Sequence, residues 1–424
     1  MRVWLRTFGC RANQADTEAV RGMLLAAGHS LVTAPGDADI AIFNSCAVTG
    51  RAESDLRAGV RRAARSNPRL RSVIMGCASA LPASTALRSL PTVDAVLPGA
   101  DVEGVADVLG IDPALAAVRP VRQDGVRALL RIQDGCDEHC TFCATTLARG
   151  ASRSRPHDAL VEEARALAAY HAEIVVTGVH IGHYGRDIGT TLGVLIERLV
   201  EAAPEARFRL TSVEATEICD RLRRLWRGAP DRLVPHLHAP LQSGSDRVLK
   251  RMGRHWYSAA QYARAVESLI ADAPYFALGA DIITGFPGET RADHRATRDL
   301  VAGLPFTYLH VFPYSERPGT AAARLGEAVA PGESARRAAE LRELGEGAAA
   351  SHRASRIGGR ADVVVIPRGG RREGLTEDYL TVAVADQALP RGARLDAILN
   401  AVAGEDGLIA HARTRRAEAE VGLA

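Results

Sequence analysis

Short apolar runs alternate with amphipathic stretches over the first third of the chain. This alternation is typical of a parallel sheet whose strands are joined by crossover helices. We therefore expect an N-terminal parallel-sheet α/β domain over residues 1–120. The predicted strands are Arg2–Arg6, Asp39–Phe43 and Ser72–Met75, and the predicted helices run from about Gln14 to Ala27 and from about Arg51 to Ala64.

The same alternation continues in the middle of the chain, with six further strand candidates. Six β/α units in sequence predict a partial or complete β/α barrel, a fold that carries its chemistry at the carboxyl ends of the strands. We assign this barrel to residues 121–356. The predicted strands are Arg127–Ile132, Ile174–Thr177, Phe208–Ser212, Pro235–His238, Ala280–Thr284 and Tyr308–Phe312, with helices such as Pro156–Tyr170 and Ala259–Ala271 between them.

The composition changes in the last part of the chain. A stretch rich in Ala, Arg and Glu predicts a helix from about Gly332 to Arg356. The glycine-separated runs after it predict a small antiparallel β-barrel over residues 357–424, and small barrels often bind RNA. Its predicted strands are Ala361–Ile366, Tyr379–Val384 and Ala393–Asn400.

Composition narrows the class of protein without deciding its function. A chain of 424 residues, of which 47% are hydrophobic, is expected to form two or three globular domains. The net charge is +3, and Lys250 is the only lysine among 53 basic residues. Arginine suits phosphate contacts and base stacking, but we favour a GC-rich genome as the explanation for most of this bias. The sequence shows neither a bilayer-spanning apolar run nor a charged-then-apolar export segment, so we expect a cytoplasmic protein without a membrane partner.

Six of the seven cysteines fall into two triplets. Cys136, Cys140 and Cys143 form a CxxxCxxC motif in the loop after the first barrel strand. Cys10, Cys46 and Cys77 each follow a predicted strand, at the sheet edge where ligands of open α/β sheets bind. Three thiolates can hold a cubane iron–sulfur cluster by three corners and leave the fourth iron open. Two such sites favour redox chemistry.

Other uses of these cysteines are less consistent with the sequence. Structural zinc usually takes four ligands at paired spacings, which neither triplet offers, although His139 could complete a Cys3His site with the second triplet. Disulfides are disfavoured because nothing directs the chain to an oxidising compartment. The seventh cysteine, Cys219, is expected to be a small buried hydrophobic residue.

The three-cysteine loop that opens a β/α barrel resembles the radical S-adenosylmethionine (radical SAM) superfamily. The resemblance implies that the open iron binds S-adenosylmethionine, which one electron splits to a radical able to attack an unactivated C–H bond. It also implies cofactor contacts for Phe142 beside the adenine, Gly178 near the methionyl amine and Glu214 after the third barrel strand. Gln242, in the run Leu241-Gln242-Ser243-Gly244, is either a ligand contact or a structural turn. Arg149, just beyond the loop, either neutralises a carboxylate or phosphate or lies in a solvated turn.

The first triplet resembles the N-terminal domain of the methylthiotransferases. The matching motifs are Thr7-x-Gly9-Cys10-x-x-Asn13-x-x-Asp16, Asn44-Ser45-Cys46-Ala47-Val48-Thr49 and Gly76-Cys77. The run Glu373-Gly374-Leu375-Thr376-Glu377-Asp378-Tyr379 is similar to a turn of the TRAM domain, an RNA-binding barrel. The resemblance implies two 4Fe-4S clusters, with Cys10, Cys46 and Cys77 holding an auxiliary one whose attached sulfur is methylated and then transferred to a substrate carbon radical.

Three subfamilies have different substrates: isopentenyladenosine in tRNA, threonylcarbamoyladenosine in tRNA, and an aspartate of a ribosomal protein. The strings Gly178-Val179-His180 and Val311-Phe312-Pro313-Tyr314 look most like the second. We therefore expect methylthiolation at C2 of N6-threonylcarbamoyladenosine at position 37 of tRNA, with flavodoxin or ferredoxin as electron donor. A metal-containing RNA-binding protein without activity is the alternative of another class. The arginines between Arg57 and Arg71 either contact tRNA phosphates or form a solvated face.

Overall fold

The structure, a computed structural model, describes residues 1–47, 50–271, 275–402 and 407–412, and only the backbone of Pro82 and Ala83. Val48 and Thr49, which end one of the predicted motifs, lie outside the described residues. So does the stretch 413–424 of the predicted C-terminal domain. The division of the chain at residues 120 and 356 stays a prediction.

A five-stranded parallel sheet forms the N-terminal part, in the order β2-β1-β3-β4-β5. Every residue of β3 is buried, as expected for a parallel strand covered on both faces. Val3, Ile42 and Val73 pack with α1 and α3 on one face, and Phe43 and Ile74 pack with α2 on the other. The elements are β1 (Arg2–Thr7), α1 (Arg11–Ala26), β2 (Ser30–Leu31), β3 (Ile40–Ser45), α2 (Gly50–Ser66), β4 (Arg71–Gly76), β5 (Val93–Val96) and α3 (Val102–Leu109).

Six strands of the central part form a partial β/α barrel. Two three-stranded parallel sheets, β10-β9-β6 and β11-β12-β13, are joined by parallel bridges from Phe208 to Leu233 and from Ser212 to His238. The elements are β6 (Ala128–Arg131), β7 (Gln133–Asp134), α4 (Thr145–Arg149), β8 (Arg153–Ser154), α5 (His157–Ala168), β9 (Glu173–Thr177), α6 (Leu192–Ala202), β10 (Arg207–Leu210), α7 (Asp220–Gly228), β11 (His236–His238), α8 (Asp246–Arg251), α9 (Ala259–Ile270), β12 (Ala277–Thr284), α10 (Arg291–Gly303), β13 (Tyr308–Pro313) and α11 (Pro331–Ser355).

The barrel strands alternate between an apolar outer face and a polar inner face. Residues such as Leu130, Phe208 and Leu237 join one large core with the surrounding helices. The residues between them, such as Glu173 and Arg209, point into the barrel. The six strands predicted from the sequence are all present, so the predicted barrel is confirmed.

The C-terminal part is a closed five-stranded barrel in the order β14-β15-β16-β18-β17. Its pairings are antiparallel apart from that of β16 with β18, which is parallel. The predicted small barrel is therefore confirmed, with this one parallel contact closing it. The strands are β14 (Arg360–Arg368), β15 (Arg371–Thr376), β16 (Thr381–Val384), β17 (Arg394–Ala401) and β18 (Leu408–Ala412).

Two buried arginines attach this C-terminal barrel to the partial barrel. Arg207 donates to the carbonyl oxygens of Asp362 at 2.5 Å and Leu375 at 3.1 Å. Arg209 donates to those of Thr376 at 3.0 Å and Glu377 at 2.9 Å. Between the two arginines lies the buried carboxylate of Glu173, 2.7 Å from Arg207 and 2.9 Å from Arg209.

The remaining cysteine does not have the predicted environment. Cys219 is exposed. It immediately precedes α7, whose buried side chains are Leu222 and Trp226, so the thiol lies at the solvent-facing start of that helix. The prediction of a buried Cys219 is therefore wrong. Within the described ranges, none of the helices combines the length and the hydropathy needed to cross a membrane.

Candidate functional site

The loop that carries Cys136, Cys140 and Cys143 is framed by the antiparallel pair β7 and β8. The N–H of Cys136 donates to the carbonyl oxygen of Gly150 at 3.0 Å. Gly135 has φ +73°, and a Cβ on it would overlap the backbone of Ala151. Glycine at 135 thus allows the two sides of the loop to approach, which places the cysteines above the carboxyl ends of the barrel strands.

Each of the three thiols has one N–H group beside it. Nδ1 of His180 lies 3.6 Å from Sγ of Cys136, a guanidinium nitrogen of Arg254 lies 3.4 Å from Sγ of Cys140, and the backbone N–H of Thr145 donates to Cys143 at 3.3 Å. Burial raises the pKa of Cys140 to about 12, and the positive charge of Arg254 opposes that rise. Cationic and N–H neighbours favour the thiolate, the form that binds iron.

A cavity of about 170 Å³ lies beneath the loop. Its walls include the three cysteines together with Phe142, Glu214 and Gln242, so the structure brings these predicted residues together. Gly178 is not among the lining residues. A Cβ there would lie 2.8 Å from the backbone oxygen of Gln133, whose side chain accepts from the N–H groups that follow Gly178.

Two features of the cavity fit S-adenosylmethionine bound to an open iron. Glu214 forms an ion pair with Arg254 through Oε1, but its buried Oε2 has no hydrogen-bond partner among the described residues. A buried acceptor of this kind suits an amine or hydroxyl donor of a ligand. Phe142 packs edge-on against Phe286 at 6.5 Å and offers an aromatic surface. The three thiols can bind three irons of a cubane cluster, and the fourth iron then takes its ligand from outside the protein.

The first triplet also converges. Cys10, Cys46 and Cys77 follow β1, β3 and β4, three adjacent strands of the sheet. A Cβ on Gly9 would lie 2.9 Å from that of Cys46, and one on Gly76, at φ +100°, would overlap the backbone of residue 45. These close approaches bring the three cysteines to one edge, where they could hold a second cluster by three corners.

Two buried asparagines hold this edge together. The side-chain N–H of Asn13 donates to Asn44 at 2.9 Å and to the carbonyl oxygen of Ser45 at 3.1 Å. Its Oδ1 accepts from Sγ of Cys10 at 3.3 Å. The sequence contained both asparagines within the resembling motifs, but their contacts could not be read from it.

Arg149 connects the two triplets. It ends α4, the helix that follows Cys143, and its Nε lies 3.1 Å from Sγ of Cys77. The same guanidinium contacts Asp16 at 2.8 Å and Asp134 at 3.1 Å. Of the two interpretations of Arg149, the structure supports the one in which it neutralises carboxylates.

A histidine pair with a carboxylate adjoins the second triplet. Glu217 lies 3.0 Å from His180 and 2.9 Å from His183, and the two imidazoles stack at 3.7 Å. Burial would lower the pKa of His180, but the hydrogen bonds to Cys136 and Glu217 raise it to about 10. Sequence reasoning noted the string that contains His180 but assigned no role to His183, Glu217 or Arg254.

A larger cleft of about 750 Å³ lies where the three parts of the chain meet. Five arginines from all three parts contribute to its walls, namely Arg6, Arg11, Arg21, Arg127 and Arg391.

The predicted basic stretch from Arg57 to Arg71 lies on α2 and the segment after it. Arg57 is paired with Glu53, and Arg71 is paired with Asp94. Arg61, Arg62, Arg65 and Arg69 are exposed.

Comparison with known proteins finds matches both for the N-terminal part, which carries the first triplet, and for the partial barrel, which carries the second. A family model described as Uncharacterized protein family UPF0004 matches residues 2–98, and the Radical SAM superfamily model matches residues 130–301. The threonylcarbamoyladenosine tRNA methylthiotransferase MtaB of Thermotoga maritima is 36% identical over 372 residues, which cover 84% of each chain. The tRNA-2-methylthio-N(6)-dimethylallyladenosine synthase of Parafrankia sp. is 34% identical, over 88% of this chain and 79% of that one.

Among solved structures, TsrM from Kitasatospora setae has a similar fold. This radical S-adenosylmethionine methyltransferase, with cobalamin and a 4Fe-4S cluster bound, gives a TM-score of 0.56 over 76% of both chains at 15% identity. Together with the three-cysteine loop, the fold defines a radical SAM enzyme. The full-length relatives then narrow the class. The chain belongs to the radical SAM tRNA methylthiotransferase family, as its sequence predicted. It is a methylthiotransferase that uses 4Fe-4S clusters and S-adenosylmethionine.

Proposed function

We propose that the protein adds a methylthio group to C2 of N6-threonylcarbamoyladenosine at position 37 of tRNA, next to the anticodon. The observation that carries the proposal is the link from α4 through Arg149 to Cys77, because it holds the two thiol triplets at one interface. A reaction that joins sulfur to a substrate carbon radical needs the sulfur donor and the radical source within reach of one substrate.

We assign one cluster to each triplet. Cys136, Cys140 and Cys143 would hold the cluster that binds S-adenosylmethionine, and the other three cysteines, Cys10, Cys46 and Cys77, would hold the auxiliary cluster. When bound, these groups supply the radical that removes hydrogen from the substrate and the sulfur that replaces it. Electrons come from a flavodoxin or ferredoxin, and the reaction takes place in the cytoplasm.

The remaining cavity residues bind and orient the cofactor. Phe142 would pack against the adenine of S-adenosylmethionine, and Oε2 of Glu214 would accept a hydrogen bond from one of the cofactor's amine or hydroxyl groups. Arg254 fixes Glu214 by occupying Oε1. Gln242, at φ +65° beside β12, would contribute to cofactor binding from the cavity wall. Gly178 lets the loop after β9 pass close to Gln133.

Support for threonylcarbamoyladenosine comes from the relatives, since the proteins named for that substrate include one 36% identical over 84% of the chain. A second candidate substrate is the dimethylallyl type, because relatives named for it are 34% identical over 88% of the chain. Both candidates are adenosines of tRNA, so they differ only in the group attached to N6.

Mass spectrometry of tRNA nucleosides from cells with and without the gene tests the proposal. We expect deletion to remove the methylthio form and to increase plain threonylcarbamoyladenosine. Loss of methylthio-isopentenyladenosine alone would reassign the substrate. An unchanged nucleoside profile would overturn the tRNA proposal and direct the search to ribosomal-protein peptides.

A further inference from the structure

A polar cluster lies on the wall of the partial barrel, formed by His238 on β11, Asp281 on β12 and His310 on β13. Oδ1 of Asp281 lies 3.0 Å from Nε2 of His238 and 3.3 Å from Nδ1 of His310. Burial would raise the pKa of Asp281, but the hydrogen bonds from the two histidines hold it below its usual range. The cluster therefore contains an ionised carboxylate between two imidazoles, and we call it the His–Asp–His cluster.

The strand register shows that this cluster faces the inside of the barrel. Asp281 pairs directly with His310, and His238 pairs with Gly279. Because side chains alternate along a strand, the residues next to these ones point outward. Those neighbours belong to the core beneath the helices, namely Leu237, Ala280, Ile282, Leu309 and Val311.

His238 and His310 differ in whether a ring nitrogen remains free to bind a ligand. Gly279 leaves space for the ring of Tyr308, whose hydroxyl lies 3.2 Å from Nδ1 of His238. Both ring nitrogens of His238 are therefore occupied. Nε2 of His310 has no hydrogen-bond partner among the described residues, and 54% of this side chain is exposed. His310 is thus oriented through Nδ1 by Asp281 while its other nitrogen faces solvent.

The cluster lies one layer below the cofactor cavity. Ile283, two residues beyond Asp281 on β12, packs in the group that contains Phe142. Two residues along a strand span about 6.6 Å. Ser212 lines the cavity and bridges to His238. A substrate that extends from the cofactor cavity along the barrel wall would therefore reach this cluster.

An exposed aromatic ring stands beside the cluster. Phe312 follows His310 on the same face of β13, with its ring centroid 6.3 Å from that of His310. Phe312 is 43% exposed although it lies on the inner wall. Aromatic side chains that protrude in this way are surfaces on which nucleic-acid bases stack.

We propose that the His–Asp–His cluster binds the N6 substituent of the substrate adenosine, with Phe312 packing against the base. The inference rests on the proposed function. A threonylcarbamoyl group carries a carboxylate, a hydroxyl and urea N–H groups. In the form with both ring nitrogens protonated, His310 donates Nε2–H to this carboxylate and Nδ1–H to Asp281, which holds the imidazole in place. A dimethylallyl group offers no polar atom to His310, so a site built for hydrogen bonding rejects it.

The test uses the reconstituted holoenzyme without oxygen, on anticodon stem-loops that carry threonylcarbamoyladenosine, isopentenyladenosine or plain adenosine at position 37. We expect His310→Ala to lower kcat/KM for the threonylcarbamoyl stem-loop about 10- to 100-fold, the range for loss of a charged hydrogen bond. Affinity for the plain-adenosine stem-loop should not change. Phe312→Ala should instead weaken binding of all three. His29→Ala, a histidine of the N-terminal part, is the matched control.

Cluster absorbance of His310→Ala should match wild type, which separates substrate binding from folding and cluster loading. Wild-type kcat/KM in both His310→Ala and Asp281→Asn would overturn the inference while leaving the proposed function intact. A wild-type enzyme inactive on the threonylcarbamoyl stem-loop would overturn both. A divalent ion bound stoichiometrically by wild type and lost in His310→Ala would show that the cluster is a metal site, and would also overturn the inference.

Discussion

The guanidinium of Arg149 lies 3.1 Å from Sγ of Cys77, although the two residues belong to different parts of the fold. Burial would lower the pKa of Arg149, but the negative charges of Cys77 and Asp134 raise it. The arginine is therefore a permanent cation between a thiol of one triplet and the helix that follows the other.

Replacing Arg149 with Met should destabilise the protein and impair the first triplet. Only 2% of the Arg149 side chain is exposed, and its partner Asp16 is fully buried. Removing one partner of a buried ion pair typically costs about 3–5 kcal/mol. Urea unfolding of the metal-free full chain measures this loss, and iron content after reconstitution measures the triplet.

Arg153→Met is the matched control, because Arg153 also approaches Asp134, at 3.6 Å, but is 63% exposed. Exposed ion pairs contribute about 0–1 kcal/mol, so this variant should be close to wild type. Equal stability of the Arg149 and Arg153 variants would contradict a structural role for the buried contact.

The two cysteine triplets should be separable by mutation. Cys140→Ala should abolish cleavage of S-adenosylmethionine and all product, because a cluster held by two thiolates is not retained. Cys46→Ala should still form 5′-deoxyadenosine but should not transfer a methylthio group. Chromatography of the reaction mixture measures both products. Full methylthiolation by the Cys46 variant would refute the assignment of the auxiliary cluster.

Glu173 should make stability depend on pH. Burial would raise the pKa of Glu173, but Arg209 and Arg207 hold it well below its ordinary value near 4.5. Its contribution is therefore complete above about pH 4.5 and is lost as the pH falls towards the folded-state pKa. We expect unfolding free energy to fall more steeply below pH 4.5 in wild type than in Glu173→Gln, as measured by urea unfolding between pH 3 and 7.

The surroundings of Glu173 keep this prediction specific. Arg127 adds a third cation at 3.2 Å, and burial lowers the pKa of the nearby His236, so that imidazole stays neutral. At neutral pH Glu173→Gln leaves the arginines without their central counter-charge, which should cost about 3–5 kcal/mol. Parallel pH profiles for wild type and variant would show that other carboxylates cause the acid sensitivity.

The arginine-lined cleft should govern the salt dependence of tRNA binding. Each phosphate contact contributes a slope of about −0.7 to −0.9 to log K against log salt concentration. Arg6→Gln with Arg11→Gln should therefore reduce the slope by about 1.5, as measured by fluorescence anisotropy. Arg61→Gln with Arg62→Gln, on the exposed face of α2, should leave it unchanged. The reverse result would place the RNA on α2 instead of in the cleft.

The sequence predicted the buried strands well and the marginal ones poorly. All six barrel strands were found because each shows apolar residues either in a short run, as in β9, or in alternation with polar ones, as in β10. β2 and β5 are short edge strands of the N-terminal sheet, and β15 begins with two arginines after a glycine pair. None of these three strands gives a comparably clear pattern. The exposure of Cys219 depends on which side of α7 is buried, which local pattern did not reveal.

The site was predictable in its cysteines and not in their neighbours. Spacing marks Cys136, Cys140 and Cys143 because they share one loop. Arg254 reaches Cys140 from 114 positions away, and Arg149 reaches Asp16 across 133. No local pattern encodes contacts at such separations, since they arise only when the partial barrel folds and packs against the N-terminal part.

The attachment of the C-terminal barrel has a consequence for how this family could diversify. Tyr379, from the loop between β15 and β16, packs 4.4 Å from His236 and 5.7 Å from Tyr308, and so forms the floor of the neighbouring barrel. Exchanging this barrel for that of a relative would alter the inner wall of the partial barrel as well as the outer surface. The C-terminal barrel is therefore not an interchangeable module, and its strands are expected to evolve together with the partial barrel that they close from below.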